Sequence, residues 1–273
     1  MVTQEQRRRQ LAREKFLRQQ QRRTSARRKS RMRNSVIASV LGVIVIGSVA
    51  LYTTGVLKND DKANASSETT PSATPSASKA PDPCEKPAAG KVAKLSWKKE
   101  PAMSIDTSAN YTMKLATTCG DIDVALKTAA APHTVNSFDF LASKGYFDHT
   151  KCHRLTTNGI YVLQCGDPTG TGSGGPGYTI PDENLKDTSL KGGVYPAGTI
   201  AMANTGQKHT GGSQFFLVYQ DSQLPASYTP FGTVDAAGLK ILKKIAAAGD
   251  STGAGDGPPN ATVVINKATV TKS

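Results

Sequence analysis

An uncharged run of 22 residues divides this chain of 273 residues into two unequal parts. The run, VIASVLGVIVIGSVALYTTGVL, occupies residues 36–57. As a helix rising ~1.5 Å per residue, it would cross the ~30 Å hydrocarbon core of a bilayer. Arginines precede the run, and Asp60 and Asp61 follow it. Because positive charge is retained on the cytoplasmic side, the pattern predicts a single-pass membrane helix with residues 1–35 in the cytoplasm and the remainder outside.

The alternative for the same run is a cleaved signal peptide. Ala63, Asn64 and Ala65 resemble the small-residue site at which such peptides are cut. That site lies beyond the charged residues of positions 58–62, and the apolar run is long for the core of a signal peptide. The sequence therefore favours an uncleaved anchor.

The excess positive charge of the chain is concentrated in residues 1–34. They contain eleven Arg and two Lys against Glu5 and Glu14, a net charge of +11 out of the formal +13 of the whole chain. Arginine-rich tails bind nucleic acids, but this one has almost no aromatic residue besides Phe16 and directly precedes the apolar run. We therefore expect anionic lipid head groups, and no nucleic acid, as the partner of residues 1–34.

Residues 58–108 separate the apolar run from the globular part of the chain. Ser, Thr, Ala and Pro dominate residues 58–90, which predicts a disordered, extended linker. Residues 91–108, which contain the only tryptophan, Trp97, are transitional, and packing on the edge of the domain is left open for them. Residues 109–273 have the composition and length of one globular domain.

Short alternating segments dominate the globular domain. Strands are predicted at 111–117, 121–127, 151–156, 160–165, 198–203, 214–219 and 231–235, with a last strand over TVVINKATV, residues 262–270. Helices are predicted over PHTVNSFDFLASKGY, ended by Gly145, and over AAGLKILKKIAAAG. Many strands with only two helices, and no regular alternation between them, predict an antiparallel barrel or sandwich rather than a doubly wound sheet.

A glycine-rich stretch, GDPTGTGSGGPGY, contains the spacing of a dinucleotide-binding loop. Gly170, Gly172 and Gly175 fit G-x-G-x-x-G. That motif requires a helix that starts inside the loop and meets the pyrophosphate. Pro176, Gly177 and the residues up to Pro181 cannot propagate a helix. We therefore interpret the stretch as a loop that leads from the preceding strand toward a groove.

Covalent and metal-assisted chemistry find little support in the residues of the domain. Cys152 and His153 are neighbours on a strand and point to opposite faces. Ser213 lacks the glycine pattern of a nucleophile elbow, and the four histidines lack the spacing of a metal site. What remains is Arg154 and Gln164, which can share one face of a hairpin beside apolar side chains, an arrangement suited to an extended peptide.

Four stretches taken together, CHRLTTNGIYVLQCGDP, GTIAMAN, HTGGSQFFLVYQD and SYTPFG, resemble the cyclophilin-type peptidyl-prolyl cis–trans isomerases. The resemblance covers roughly residues 111–270. It implies a mainly β fold, a closed eight-stranded antiparallel barrel capped by two helices, here preceded by a transmembrane helix and a disordered linker. It also implies Arg154 as the catalytic residue and a substrate site at Tyr161, Val162, Gln164, Ala203, Asn204, Gln214, Phe216, Leu224, Tyr228 and Phe231.

The chemistry implied by the resemblance needs no metal and no cofactor. Rotation about an X-Pro bond is opposed by a barrier of ~18–20 kcal/mol that arises from amide resonance. An arginine can donate a hydrogen bond to the prolyl nitrogen in the twisted state, and proline-containing polypeptides are the expected partners. The alternative from another functional class is a non-catalytic peptide-binding or chaperone module that uses the same groove.

The resemblance has local departures. The segment between Arg154 and Gln164, residues 155–163, is two residues longer than is usual in the family. Tyr161 therefore aligns only loosely with the family's aromatic position. Val162 stands where methionine is common, Gln223 where tryptophan is common, and Tyr228 where histidine is common.

The four cysteines lie on the side predicted to be outside the cell, which favours disulfides. Cys152 and Cys165 flank the predicted hairpin, and a bridge between them would leave Cys84 to pair with Cys119. Free, buried thiols are the alternative.

Overall fold

The computed structural model describes residues 81–272. The chain divides into two units, Met1–Pro75 and Ser76–Ser273, and the described residues lie in the second. The basic tail, the apolar run of residues 36–57 and the linker up to residue 80 lie outside the described residues. Within residues 81–272, no helix is long and apolar enough to cross a bilayer.

Ten of the twelve strands found in residues 81–272 form one antiparallel sheet. Its order is β11-β4-β5-β8-β7-β10-β2-β1-β12-β3, and β6 pairs with β9 in a separate two-stranded sheet. The strand bounds are β1 Tyr111–Thr117, β2 Gly120–Leu126, β3 Thr150–Lys151, β4 Arg154–Thr156, β5 Val162–Cys165, β6 Val194–Tyr195, β7 Thr199–Met202, β8 Phe215–Val218, β9 Ser222–Gln223, β10 Pro230–Val234, β11 Asp256–Gly257 and β12 Val264–Lys272.

The predicted closed eight-stranded barrel is wrong in strand number and in closure. The short strands β11 and β3 are the two edges of a curled half-barrel, and no backbone ladder joins them. Both edge strands have only two residues, so they can pair on one side and offer little backbone for closure. The mainly β character and the two helices are as the sequence predicted.

Two helices, α1 Pro132–Ser143 and α2 Ala236–Ala247, cover the sheet. Pro132 occupies the first turn of α1, where no backbone N–H is needed, and Gly145 follows its end at a φ of +67°. Asp235 caps α2 by accepting a hydrogen bond of 2.7 Å from the backbone N–H of Gly238. Three side chains were predicted to face inward from α2. Leu242 and Ile245 are buried, whereas Leu239, at the edge of the buried face of the helix, is half-buried.

The sheet separates two apolar clusters because successive side chains of a strand point to opposite faces. The main core contains Leu163, Phe215 and Leu217 together with the side chains of α1. The alternate residues of the same strands, Val162, Phe216 and Val218, lie on the other face. They pack with Tyr195 and Ala201 in a smaller cluster. This second face carries the candidate site.

Residues 82–108, here called the N-terminal strap, have no regular secondary structure but are attached to the domain. A disulfide joins Cys84 to Cys119, and Asn136 donates from its Nδ2 to the carbonyl oxygens of Pro101 and Ala102. The ring of Trp97 contacts that of Phe140, with centroids 5.0 Å apart. Packing of residues 91–108 on the edge of the domain, which the sequence left open, is what these contacts describe. Cys84, which lies in the stretch predicted as linker, is also attached to the domain through its disulfide.

Candidate active site

Arg154 and Gln164 lie directly opposite each other on the antiparallel strands β4 and β5. The guanidinium Nη1 donates a hydrogen bond of 3.2 Å to Oε1 of Gln164. The disulfide between Cys152 and Cys165 joins the end of β5 to the chain two residues before β4, just beyond this pair. The sequence prediction that the two side chains share one face of a hairpin is thus consistent with the register.

Asp256, which sequence reasoning did not single out, fixes the other side of Arg154. Its strand β11 pairs with β4, and its carboxylate accepts hydrogen bonds from Nε at 2.7 Å and from Nη2 at 2.8 Å. The ion pair raises the pKa of Arg154 and lowers that of Asp256, in each case chiefly through this side-chain hydrogen bond. No local signal could have identified Asp256, because it lies 102 residues from Arg154 on the two-residue strand β11.

The side-chain amide of Gln214 extends the hydrogen-bonded row beyond Gln164. Gln164 Nε2 donates to Oε1 of Gln214 at 2.9 Å, and Gln214 Nε2 donates to the carbonyl oxygen of Gly174 at 2.9 Å. The row therefore runs from Asp256 through Arg154 to the glycine-rich loop. Within the row, Arg154, Gln164 and Gln214 each have a partner on both sides, so their rotamers are fixed before any ligand binds.

A cavity of about 170 Å³ lies beside Arg154 on the second face of the sheet. A cavity of about 150 Å³ is large enough to hold benzene, so this one can hold a five-membered pyrrolidine ring. The rings of Phe216 and Tyr228 meet edge to face with centroids 5.4 Å apart. The lining consists of Arg154, Ile160, Val162, Gln164, Ala203, Asn204, Phe216, Leu224 and Tyr228.

Three of the predicted substrate-binding residues, Tyr161, Gln214 and Phe231, do not line this cavity. Phe231 is fully buried in the main core, where its ring lies 4.6 Å from that of Phe138. Tyr161 packs against Tyr219 and belongs to another pocket. Ile160 lines the cavity together with Val162 and Gln164, whereas Tyr161 lies between them in the sequence and points to the other side.

Tyr195 supports the cavity from beneath and was not predicted from sequence. It is fully buried, and its hydroxyl donates a hydrogen bond of 2.8 Å to the carbonyl oxygen of Tyr228. Its ring lies 6.4 Å from those of Phe216 and Tyr228. Burial raises the pKa of the Tyr195 hydroxyl, so this group remains a neutral donor.

The glycine-rich loop is organised around the buried carboxylate of Asp167. This carboxylate accepts hydrogen bonds from the backbone N–H groups of Thr169, Thr171 and Gly172 at 2.7, 3.1 and 2.6 Å. Burial alone would raise the pKa of Asp167, but hydrogen bonds from Thr169, Gly174 and Gly172 lower it to about 2. No helix follows the loop, so the decision against a dinucleotide site is consistent with the fold.

A second, larger cavity of about 1050 Å³ adjoins the first. The two share Gln164, Ala203 and Asn204 as walls. Gln214, another predicted substrate-binding residue, lines only the larger one. An extended chain seated in the small cavity would therefore continue into the large one.

The hydroxyl and thiol groups near the site are engaged elsewhere. Ser213 donates to the carbonyl oxygen of Gly166 at 2.7 Å and its other hydrogen-bond neighbour is the hydroxyl of Tyr146, so it has no general base. Cys152 is oxidised in its disulfide. Among residues 81–272, no group of three or more His, Cys, Asp and Glu side chains is arranged to hold a metal ion.

The fold and the site together define a mainly β protein in which a fixed arginine faces a cavity large enough for a five-membered ring. The model of the family described as "Cyclophilin type peptidyl-prolyl cis-trans isomerase/CLD" matches residues 112–270, and the chain belongs to this family. Probable peptidyl-prolyl cis-trans isomerase B of Mycobacterium leprae is 49% identical over 199 residues, which are 70% of this chain and 63% of that protein. The chain thus spans about three fifths of the length of this relative.

Further relatives agree with this assignment. Peptidyl-prolyl cis-trans isomerase B of Bacillus subtilis is 42% identical over 125 residues, 45% of this chain and 82% of that protein. A crystal structure of a Cryptosporidium parvum cyclophilin type peptidyl-prolyl cis-trans isomerase is 26% identical with a TM-score of 0.50, covering 60% of this chain and 99% of that one. The same enzyme with the dipeptide ala-pro aligns with the same TM-score at 27% identity.

Proposed function

We propose that this chain is a peptidyl-prolyl cis–trans isomerase that acts on proline-containing polypeptides. The observation that carries the proposal is the position of Arg154, held between Asp256 and Gln164 at the edge of the 170 Å³ cavity. Family membership and the named activity of the relatives support the same conclusion.

The geometry accounts for catalysis without covalent chemistry. The apolar side chains of Phe216, Val162 and Leu224 hold the proline ring while the preceding residue rotates. As the prolyl nitrogen becomes pyramidal, it gains a lone pair that can accept a hydrogen bond from the Arg154 guanidinium. That bond is stronger in the twisted state than in either planar state, so it lowers the ~18–20 kcal/mol barrier.

An isomerisation assay on the full chain with a proline-containing peptide tests the proposal. Arg154→Ala should reduce kcat/KM by about 100-fold, the loss typical of a preorganised donor, and leave peptide binding measurable. Arg154→Lys is the matched control, because it retains the charge but cannot form the two-point contact with Asp256. A wild-type chain that binds the peptide but does not accelerate its isomerisation would instead support the non-catalytic binding module.

We further propose that the domain acts outside the cytoplasm as part of a membrane-anchored bacterial protein and assists the folding of exported polypeptides. The uncharged run of residues 36–57 and the Arg-rich residues 1–34 support a single-pass anchor with anionic lipids near the tail. The two disulfides of the described residues suit an oxidising compartment. Protease treatment of intact cells should remove the domain but spare residues 1–35, whereas protection of the domain would contradict this topology.

A further inference from the structure

The N-terminal strap contributes charged side chains to the larger of the two cavities. Lys98, Lys99 and Glu100 form part of the wall of the 1050 Å³ cavity. All three precede the residues 112–270 that match the family model. They therefore add to the wall of the large cavity charged side chains that the matched part of the domain does not provide.

The strap is held firmly at this point. The backbone N–H of Trp97 donates a hydrogen bond of 2.8 Å to the carbonyl oxygen of Pro176 in the glycine-rich loop. Gly177 has a φ of +90°, and a Cβ at this position would lie 2.6 Å from the carbonyl oxygen of Trp97. The Trp97 ring also contacts Phe140 and Tyr146, with centroids 5.0 and 6.0 Å away. The two residues that follow Trp97 are thus fixed beside the cavity.

The charge at this wall is unbalanced. The carboxylate of Glu100 pairs with the ring of His133: Oε1 of Glu100 lies 2.6 Å from Nδ1 of His133. Within the described part of the chain, neither Lys98 nor Lys99 has a carboxylate within ion-pair distance. The other residues that line the cavity are uncharged. The wall of the large cavity therefore includes two lysines without an ion-pair partner among the described residues.

We propose that Lys98 and Lys99 make this chain selective for substrates with an acidic side chain within three residues of the proline. The proposal rests on the proposed isomerase function. A peptide whose proline occupies the small cavity must pass along Gln164, Ala203 and Asn204 into the large one, since both cavities share these walls. At ~3.3 Å per residue an extended peptide places its next few side chains in the large cavity. A Glu or Asp there gains the attraction of both lysines.

Peptides with one proline and a single Glu, placed in turn at each of the three positions before and after the proline, test the proposal on the full chain. Matched peptides carry Gln or Lys at the same position. We expect kcat/KM to be about 1.5-fold to 5-fold higher for Glu than for Gln at one or two positions, the size expected for exposed charge pairs. This preference should shrink as NaCl is raised from 0.05 to about 0.5 M, because exposed charges are screened.

The double variant Lys98→Glu/Lys99→Glu should favour the Lys peptide over the Glu peptide. Lys91→Gln/Lys94→Gln is the matched control, because both residues are exposed lysines of the same strap that do not line the cavity. This control should retain the preference of the wild type. Equal rates for Glu and Gln peptides in the wild type, or an unchanged preference in the Glu variant, would overturn the proposal.

Fluorescence anisotropy with the same labelled peptides separates this proposal from the isomerase function. Charge-selective binding without rate acceleration would support the role of the two lysines and refute catalysis. Rate acceleration without charge selectivity would support catalysis and refute the role of the lysines. Absence of binding by every peptide would contradict both.

Discussion

Arg154 and Asp256 form a two-point ion pair in which Nε and Nη2 lie 2.7 and 2.8 Å from the two carboxylate oxygens. The guanidinium plane is thereby fixed, and Nη1 is directed to Gln164. Since a planar guanidinium that is hydrogen-bonded at two points has little rotational freedom, Arg154 is oriented before substrate binds. Asp256 is accordingly a positioning residue for the proposed isomerisation.

Replacing Asp256 by Ala should lower kcat by about tenfold, equivalent to ~1.4 kcal/mol of transition-state stabilisation, and change KM much less. The reason is that the variant leaves the cavity intact but releases the guanidinium. Steady-state kinetics with a proline peptide provide the measurement. Asp256→Glu should recover part of kcat, whereas an equal loss in the Ala and Glu variants would argue for a merely structural role.

Phe216 and Phe231 should behave differently when each is replaced by Leu. Phe216 lines the cavity and is 5% exposed, so Phe216→Leu should raise KM several-fold. Phe231 lies in the main core, so Phe231→Leu should cost up to about 1.5 kcal/mol of unfolding free energy and leave KM unchanged. Kinetics and urea unfolding of both variants distinguish these roles. A rise in KM for Phe231→Leu would instead show that Phe231 contributes to the substrate site.

Asp167 should make the stability of the domain depend on pH in the acid range. Its pKa of about 2 in the folded chain is below the ~3.9 of an Asp in an unfolded chain. Its ionised form therefore stabilises the fold above about pH 4, and this contribution is lost as the pH falls toward 2.

Asp167→Asn should cost about 1–3 kcal/mol at pH 7, since it leaves buried N–H donors of the loop poorly matched. The difference between variant and wild type in urea unfolding should shrink between pH 4 and pH 2. A constant difference over this range would contradict the role of the charge.

The two disulfides should contribute unequally to stability. The Cys152–Cys165 bridge closes a separation of 13 residues and the Cys84–Cys119 bridge one of 35. Loop-closure entropy gives about 3 kcal/mol for the shorter loop and about 4 kcal/mol for the longer. Urea unfolding of Cys152→Ser/Cys165→Ser and Cys84→Ser/Cys119→Ser measures both.

Isomerase activity should fall more in Cys152→Ser/Cys165→Ser than in Cys84→Ser/Cys119→Ser, which is the opposite of the order expected for stability. The shorter loop contains Arg154 and Gln164, so losing its bridge loosens the two strands that carry them. Losing the longer one releases only the N-terminal strap from its anchor at Cys119. A larger loss of activity in the Cys84→Ser/Cys119→Ser variant would show that the strap matters more to the site than the hairpin does.

The local pattern of the chain was sufficient for much of the fold and for part of the site. Alternating residues predicted β1, β5 and β8, and Pro132 and Gly145 marked the limits of α1, because these signals act over a few neighbouring residues. The hairpin of β4 and β5 brings Arg154 to Gln164, and the Pro-rich sequence after Gly175 excluded a helix. The disulfide between Cys152 and Cys165 also belongs to this local information.

Only the tertiary structure decided the rest. Asp256 reaches Arg154 across 102 residues of chain, and the strap brings Lys98 and Lys99 to a cavity formed by loops far along the sequence. β5 begins two residues later than predicted, at Val162, and Ile160 lines the cavity with Val162 and Gln164 whereas Tyr161 does not. Periodicity tells which residues share a face, but strand order and loop path decide which distant faces meet, and these depend on the packing of the whole domain.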